Sequence, residues 1–331
     1  MGINMKTLNL NKLTILISLF LISVVFSSGA QANSCVKDAN GVIETYDGPS
    51  DGQVKATSPE RTGFTDACAD TPDEYKLTFY KLGLCTADTS FNDLSSCKFV
   101  INSAAGIEHT ISGAAETPMA IPEFVIDPGT YPYMVVLISA KLAVKHSFQT
   151  SNEVGGASGS DGVYCWTSNT GYTGYTSESG VSVTGHGNST DGDTIMLTCG
   201  NLAAKNAATP VFTHEVINKL TGDQCSDTWV ANGDRWAVVD DDGNVETVGN
   251  GTAVINLLQS DDTFATGCTN VYKILWTTSL TAPYVVTENS SFGLSVKTTN
   301  AISLDFDGDD TNNDIRKAGA DPVQLFLTVT D

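Results

Sequence analysis

The sequence predicts an all-β protein, an antiparallel β-sandwich or jelly-roll-like fold held by disulfide bonds, with one β domain or two β subdomains. Apolar residues alternate with polar ones in many short stretches, which is the period of a strand with one buried face. Clusters of Gly, Asn, Asp and Pro separate these stretches, as turns between strands do. Eight cysteines follow an apolar N-terminal segment, an arrangement typical of exported proteins with disulfide bonds.

The first 32 residues predict a cleavable export signal. Lys6 and Lys12 precede an apolar run at residues 13–26, and Ala30 and Ala32 form a small-residue cleavage site. A membrane span is the alternative, but the run has 14 residues, whereas a spanning helix needs about 20. We therefore expect a secreted protein without a transmembrane segment after signal removal, located outside the cell, at the cell surface or in the periplasm.

Two stretches alternate strictly and identify the clearest strands. Residues 75–79 alternate Tyr, Leu and Phe with Lys76 and Thr78, and residues 142–148 place His146 among apolar residues of one face. His146 is thus expected to be a satisfied core or cross-strand histidine. Further strands are expected at residues 121–126, 131–138, 194–198, 235–239, 252–258, 271–278, 292–297, 301–306 and 323–329. Short helices are expected only at residues 201–208 and 216–220.

Residues 131–148 are too long for a typical strand of about 5 to 6 residues. Either one long strand bends across two sheets, or a bulge near Ser139 and Ala140 divides it. Asp242 and Gly243 predict a tight hairpin turn, because Gly readily adopts the positive φ that such a turn requires.

The composition predicts four segments. Residues 1–32 form the signal, residues 33–150 an N-terminal β region, residues 151–199 a Gly/Ser/Thr-rich excursion, and residues 200–331 a C-terminal β region. A flexible linker is the alternative for the third segment, but cysteines and aromatic residues favour an ordered excursion. Its aromatic residues form a candidate glycan-binding platform, with core packing as the alternative: Tyr164, Trp166, Tyr172 and Tyr175.

The cysteines are expected to pair consecutively. Cys85 and Cys97 flank a polar loop between two predicted strands, so a bond between them would fix a hairpin. Zinc ligation is disfavoured because no C-x-x-C and no histidine at ligand spacing accompanies them. The other expected pairs are Cys35 with Cys68, Cys165 with Cys199, and Cys225 with Cys268.

The chain is strongly acidic, with 38 Asp and Glu against 17 Lys and Arg and a net charge of −21. Removing the signal takes away two lysines and no acid, so the mature chain is more negative still. The negative electrostatic potential of such a chain repels nucleic acid and anionic lipid. We expect no nucleic-acid partner, and instead copies of the same protein or extracellular glycans.

No catalytic residue and no organic cofactor is predicted. The four histidines form no metal-binding motif, and no nucleophile or phosphate-binding pattern occurs in its required context. One acidic loop places oxygen donors at alternate positions and is a candidate structural calcium site, with a solvated acidic turn as the alternative. Its proposed ligands are Asp305, Asp307, Asp309 and Asp314.

Three functions remain open from the sequence. The first is a secreted, non-catalytic structural or cell-surface protein, such as a fibre, appendage or adhesive subunit, whose C-terminal strand at residues 323–329 could complete a neighbour's sheet. The second is a secreted glycan-binding module. The third is a secreted β-fold polysaccharide hydrolase or lyase whose carboxylates the sequence does not identify.

Overall fold

The computed structural model describes residues 22–25, 34–45, 54–57, 62–65, 67–89, 93–113, 115–120, 126–156, 161–168, 197–216, 236–237, 247–248, 251–265, 271–306, 315–320 and 323–330. Most of these residues lie in strands of several sheets, so the predicted all-β class is confirmed. The sandwich or jelly-roll arrangement stays a prediction.

The strands follow one another with one short helix among them. The first eleven strands are β1 (Ile22–Val25), β2 (Ser34–Cys35), β3 (Val54–Thr57), β4 (Thr62–Thr65), β5 (Ala67–Asp70), β6 (Glu74–Cys85), β7 (Cys97–Ser112), β8 (Thr117–Pro118), β9 (Gly129–Ser139), β10 (Lys141–Lys145) and β11 (Ser147–Gly155). The others are β12 (Asp161–Thr167), β13 (Leu197–Gly200), β14 (Thr213–Val216), β15 (Trp236–Ala237), β16 (Thr247–Val248), β17 (Gly251–Leu258), β18 (Lys273–Val286), β19 (Ser291–Lys297), β20 (Ile302–Phe306), β21 (Ile315–Ala320) and β22 (Gln324–Thr330). Helix α1 (Leu202–Ala207) lies between β13 and β14.

The strands form four sheets. The nine-stranded central sheet has the order β14-β10-β6-β9-β18-β17-β15, with β7 also paired to β6 and β16 to β17. Smaller sheets have the orders β21-β20-β5-β2-β3-β4, β11-β12-β13 and β1-β22-β19-β8. The central sheet thus takes strands from both predicted β regions. The pairs are antiparallel except β2 with β5 among the strands that the structure describes.

Strand β6 shows how the alternating sequence positions two different surfaces. Tyr75, Leu77 and Phe79 are at most 1% exposed and enter the large core, whereas Lys76 and Thr78 between them are half-buried on the other face. Alternation follows from strand geometry, because successive side chains point to opposite sides of a sheet. The predicted strand at residues 75–79 is therefore confirmed.

The long β-forming run at residues 131–148 is divided where the sequence predicts. β9 ends at Ser139 and β10 begins at Lys141, with buried Ala140 between them. The amide of Ala140 donates to the carbonyl of Tyr272 at 2.8 Å, so the break costs no hydrogen bond at this residue. β6 crosses both strands and pairs with each.

The central sheet is apolar on both faces along part of its length. Met134, Val136 and Ile138 of β9 enter the large core, while Val135 and Leu137 enter a second, smaller cluster against which Tyr80 packs. Beyond Tyr80 that second face becomes polar. This change from an apolar to a polar surface positions the candidate site described below.

Disulfide bonds join Cys35 to Cys68, Cys85 to Cys97, and Cys165 to Cys199, which are three of the four pairs expected from consecutive pairing. Cys85 and Cys97 are directly opposite on β6 and β7, and Cys165 and Cys199 on β12 and β13. Cys225 and Cys268 lie outside the described residues.

The helix expected at residues 201–208 is present as α1, and the side chain of Asn201 accepts the amide of Ala204 at 2.9 Å as its N-cap. Val216, expected to begin a second helix, instead ends β14, where pairing with Lys141 determines its conformation. The remainder of that helix, the turn at Asp242 and Gly243, and strands expected at residues 121–125 lie outside the described residues.

Candidate functional site

A polar groove lies on the outer face of the central sheet and encloses about 370 Å³. We call it the sheet-face groove. It is lined from β6, β7, β9, β10 and β14 by Lys76, Thr78, Tyr80, Ala105, Gly106, Glu108, Ser139, Lys141, Ala143 and His214. Its volume is at the lower end of the range typical of small-molecule sites, about 300–1,000 Å³.

The groove forms where residues with small side chains lie between residues with long side chains. Ala143 lies directly opposite Lys76 on one side and His214 on the other, so the two longer side chains border a gap above a methyl group. Neighbouring positions on one sheet face are about 4.5–5.5 Å apart, which brings such side chains within reach of one ligand.

A bulge in β7 closes one side of the groove. Pairing with β6 skips from Asn102 opposite Lys81 to Ile107 opposite Phe79, and Gly106 in the bulge has a φ of +79°. A Cβ at this glycine would lie 2.5 Å from Cγ2 of Thr78. Glycine is required here both for its backbone conformation and for the close approach of the two strands.

The groove has a positive local charge within a protein of net charge −21. The ammonium of Lys76 pairs with Glu108 at 3.2 Å and lies 4.5 Å from the ring centroid of Phe212. Lys141 is half-buried, and within the described part of the chain its ammonium forms no ion pair. Burial, with a smaller effect from the charge of Lys76, lowers the pKa of Lys141, while Glu108 opposes this change.

His214 contributes no charge at neutral pH. Burial, then the charges of Lys141 and Lys76, lower its pKa to about 4. On the floor of the groove, the hydroxyl of Ser139 accepts the backbone amide of Lys141 at 3.0 Å and keeps its own hydrogen for donation. The groove can therefore offer two ammonium groups together with neutral hydroxyl donors.

Another concentration of charge, partly buried, lies at the junction of three sheets. We call Lys37, Asp70, Asp73 and His146 the junction cluster. His146 is 3% exposed; its Nε2 lies 3.1 Å from Asp70 Oδ2, and its Nδ1 lies 3.8 Å from Asp73 Oδ1. Lys37 donates to Asp70 Oδ1 at 2.6 Å. The predicted core position of His146 is confirmed, but only its Nε2 is hydrogen-bonded, and its buried Nδ1 has no hydrogen-bond partner among the described residues.

In the junction cluster, the pKa values of His146, Asp70 and Asp73 are shifted in the directions that favour ion pairing. Burial lowers the pKa of His146, but the hydrogen bond to Asp70 and the negative charges of Asp70 and Asp73 raise it on balance. Burial raises the pKa of Asp70, but His146 and Lys37 lower it on balance. Each charge in the cluster is therefore held by its opposite.

The structure describes only some of the sequence-predicted site residues. Trp166 is only 8% exposed, and its ring lies 3.4 Å from the ideal Cβ position of Gly200, so it packs inside the protein. Tyr164 is half-buried on β12; Tyr172 and Tyr175 lie outside the described residues. The glycan platform is thus without its tryptophan and otherwise stays a prediction.

The calcium loop also stays a prediction. The backbone of Asp305 pairs with Lys317 and Ala67 in the six-stranded sheet, while Asp307, Asp309 and Asp314 lie outside the described residues. Among the residues that are described, no group of three or more His, Cys, Asp or Glu side chains is placed to hold a metal ion. In the same part of the chain, no helix is long and apolar enough to cross a membrane.

Lys141, Lys76 and His214 were not identified from the sequence as site residues. The sequence does contain one indication of the groove: Lys76 occupies a polar position of an alternating strand in a chain with few lysines. Their proximity depends on β10 pairing with both β6 and β14, which periodicity does not specify. Comparison of the chain with family models, with curated proteins and with solved structures gives no match.

Proposed function

We propose that residues 1–32 are an export signal and that the mature chain is a secreted, non-catalytic cell-surface protein that binds a ligand in the sheet-face groove. The observation that carries this proposal is Lys141, a half-buried cation without an ion pair in the described residues. Three disulfide bonds support a location in an oxidising compartment. An adhesive role at the cell surface fits both the disulfide bonds and Lys141, which has no ion pair among the described residues.

The groove is suited to binding because its walls are strands of the central sheet. Side chains on such elements are held more precisely than side chains on loops. The adjoining apolar cluster further fixes Tyr80, and the ammonium of Lys273 lies 4.8 Å from the centre of the Tyr80 ring. A ligand would therefore meet a preformed surface.

Filling the groove from its exposed rim tests the proposal. The chain beginning at residue 33 is screened on a glycan array, together with the variants Ala105→Trp and Ala104→Trp. Both alanines are exposed on β7, but only Ala105 lines the groove. We expect Ala105→Trp to abolish the binding seen with the wild type and Ala104→Trp to preserve it. Absence of any wild-type binding, or equal binding by both variants, would contradict the proposal.

A specific observation favours a second candidate function, a subunit that assembles by strand addition. β1 lies within the predicted export signal and pairs antiparallel with β22, from Ile22 opposite Leu327 to Val25 opposite Gln324. Cleavage would therefore leave β22 with β19 as its one pairing partner among the described strands. Its sequence, QLFLTVT, has no charge and no proline, and its register with β19 is continuous. Charged residues and proline protect edge strands from pairing with another chain, and an edge strand that lacks both pairs readily.

The assembly candidate is tested by light scattering and electron microscopy of the chain that begins at residue 33. We expect oligomers or fibres that a peptide covering residues 18–29 dissociates, because this peptide restores the pairing partner of β22. Thr328→Lys should also prevent assembly by placing a charge on the edge strand, whereas Asn289→Lys, in an exposed turn, should not. A monomer at high concentration that does not bind the peptide would exclude this candidate.

A further inference from the structure

The charges of the sheet-face groove are incompletely balanced. Two ammonium groups, those of Lys76 and Lys141, face one carboxylate, that of Glu108. Lys76 already has this carboxylate and the Phe212 ring as neighbours. Lys141 therefore remains as the half-buried cation without an ion pair among the described residues, and Glu108, already paired with Lys76, offsets its burial only in part. An anion beside Lys141 would form a charge-assisted hydrogen bond, which is stronger than one between neutral groups.

The whole protein restricts the kind of anion that can approach. A net charge of −21 repels molecules that carry many negative charges. The groove also has room for only a small group and holds no arginine fork for bidentate phosphate binding. These features favour an isolated anionic group on an otherwise neutral molecule.

The rest of the lining indicates what that neutral molecule is. The groove lining also includes Thr78, Ser139 and Tyr80, whose hydroxyl groups can each donate and accept a hydrogen bond. Several hydroxyl groups on the ligand would complement them. The ring of Tyr80 adds an apolar surface beside these polar groups, a combination that suits the mixed surface of a sugar.

We propose that the sheet-face groove recognises a carboxylate-bearing sugar, with the Lys141 ammonium pairing with the carboxylate and the hydroxyls of Thr78 and Ser139 contacting the sugar hydroxyls. This inference rests on the proposed function, because it names the ligand class of the same groove. Lys76 stays paired with Glu108 and strengthens the positive potential at the site. The sugar would be one residue of a largely neutral glycan.

Two matched monosaccharides test the proposal by calorimetry or NMR titration. Galacturonate and galactose differ only in the carboxylate at C6, and sodium sulfate serves as an anion without a sugar. We expect the wild type to bind galacturonate about tenfold or more tightly than galactose, since a charge-assisted hydrogen bond contributes at least that ratio. Lys141→Gln should abolish this preference.

Lys145→Gln is the control, because Lys145 lies on the same strand, pairs with Glu74 and does not line the groove; it should keep the preference. Equal binding of both sugars, blocked by Ala105→Trp and indifferent to Lys141→Gln, would overturn the carboxylate proposal and leave the proposed function intact. Sulfate binding as tightly as galacturonate would show a site for simple anions and would also overturn it. No binding of any sugar or array glycan would contradict both proposals.

Discussion

Two charged regions include residues at or just after strand β10, and they differ in whether their charges are paired. At the junction cluster, His146 is buried and each charge has a partner within 4 Å. At the sheet-face groove, only five residues earlier in the chain, Lys141 is half-buried and its ammonium has no ion-pair partner in the described residues. A buried ion pair that loses one partner destabilises a protein strongly, whereas a half-buried charge without a partner keeps part of its hydration and costs less. The first region therefore maintains the fold, and the second is free to serve binding.

The largest effect is expected from breaking the junction cluster. His146→Leu would leave Asp70, whose side chain is 7% exposed, buried with Lys37 as its remaining cationic partner. We expect a loss of about 3–5 kcal/mol in the free energy of unfolding, the range for removing one member of a buried ion pair. Urea denaturation at pH 6 measures this loss. His214→Leu, at the groove, is the control and should change stability much less, since His214 is neutral at this pH.

The pH dependence of stability separates charge from packing at His146. Because the pKa of His146 is raised in the folded protein, its stabilisation is fully present below the unfolded pKa of about 6.5 and is lost as the pH rises through the folded pKa. The lowered pKa of Asp70 has the opposite consequence, a loss as the pH falls below about 4. Wild-type protein should thus lose stability as the pH rises above about 6.5. If His146→Leu loses stability with the same slope over this pH range, the charge of His146 is not the cause.

Gly106→Ala tests whether the β7 bulge that borders the groove is as rigid as the junction cluster. The positive φ of Gly106 costs a residue with a side chain about 1–2 kcal/mol, and contact with Thr78 adds crowding. Gly113→Ala is a close control, because Gly113 has a φ of +70° but nothing within 4 Å of the position that a methyl group would occupy. We expect Gly106→Ala to be the more destabilising variant in thermal unfolding. Equal losses would mean that the bulge can relax.

The two regions also differ in how far the sequence predicts them. Alternation at residues 75–79 and 142–148 identifies both strands and the burial of His146, because the period of a strand is local. Its partner Asp70 is 76 positions away, and no local pattern links them. The sequence predicts a strand after Cys97 but not its extent: β7 continues to Ser112, and the small residues and the bulge around Gly106 hide its alternation. The groove depends on that bulge and on the β6–β10–β14 register, so it emerged only from the tertiary structure.

The smallest effect on stability is expected at Lys141, the residue to which we assign recognition of the ligand's carboxylate. Lys141→Gln removes a half-buried charge whose pKa is lowered by burial, so the folded protein loses an unfavourable desolvation and no ion pair among the described residues. We expect the free energy of unfolding to stay within about 0.5 kcal/mol of the wild type, as for most substitutions away from tightly packed or networked positions. Paired measurements of unfolding and galacturonate binding on this variant and on His146→Leu sharpen the contrast. Lys141→Gln should lose binding and keep stability. A large loss of stability in Lys141→Gln would mean that Lys141, like His146, holds the fold together, and the division between the two regions would fail.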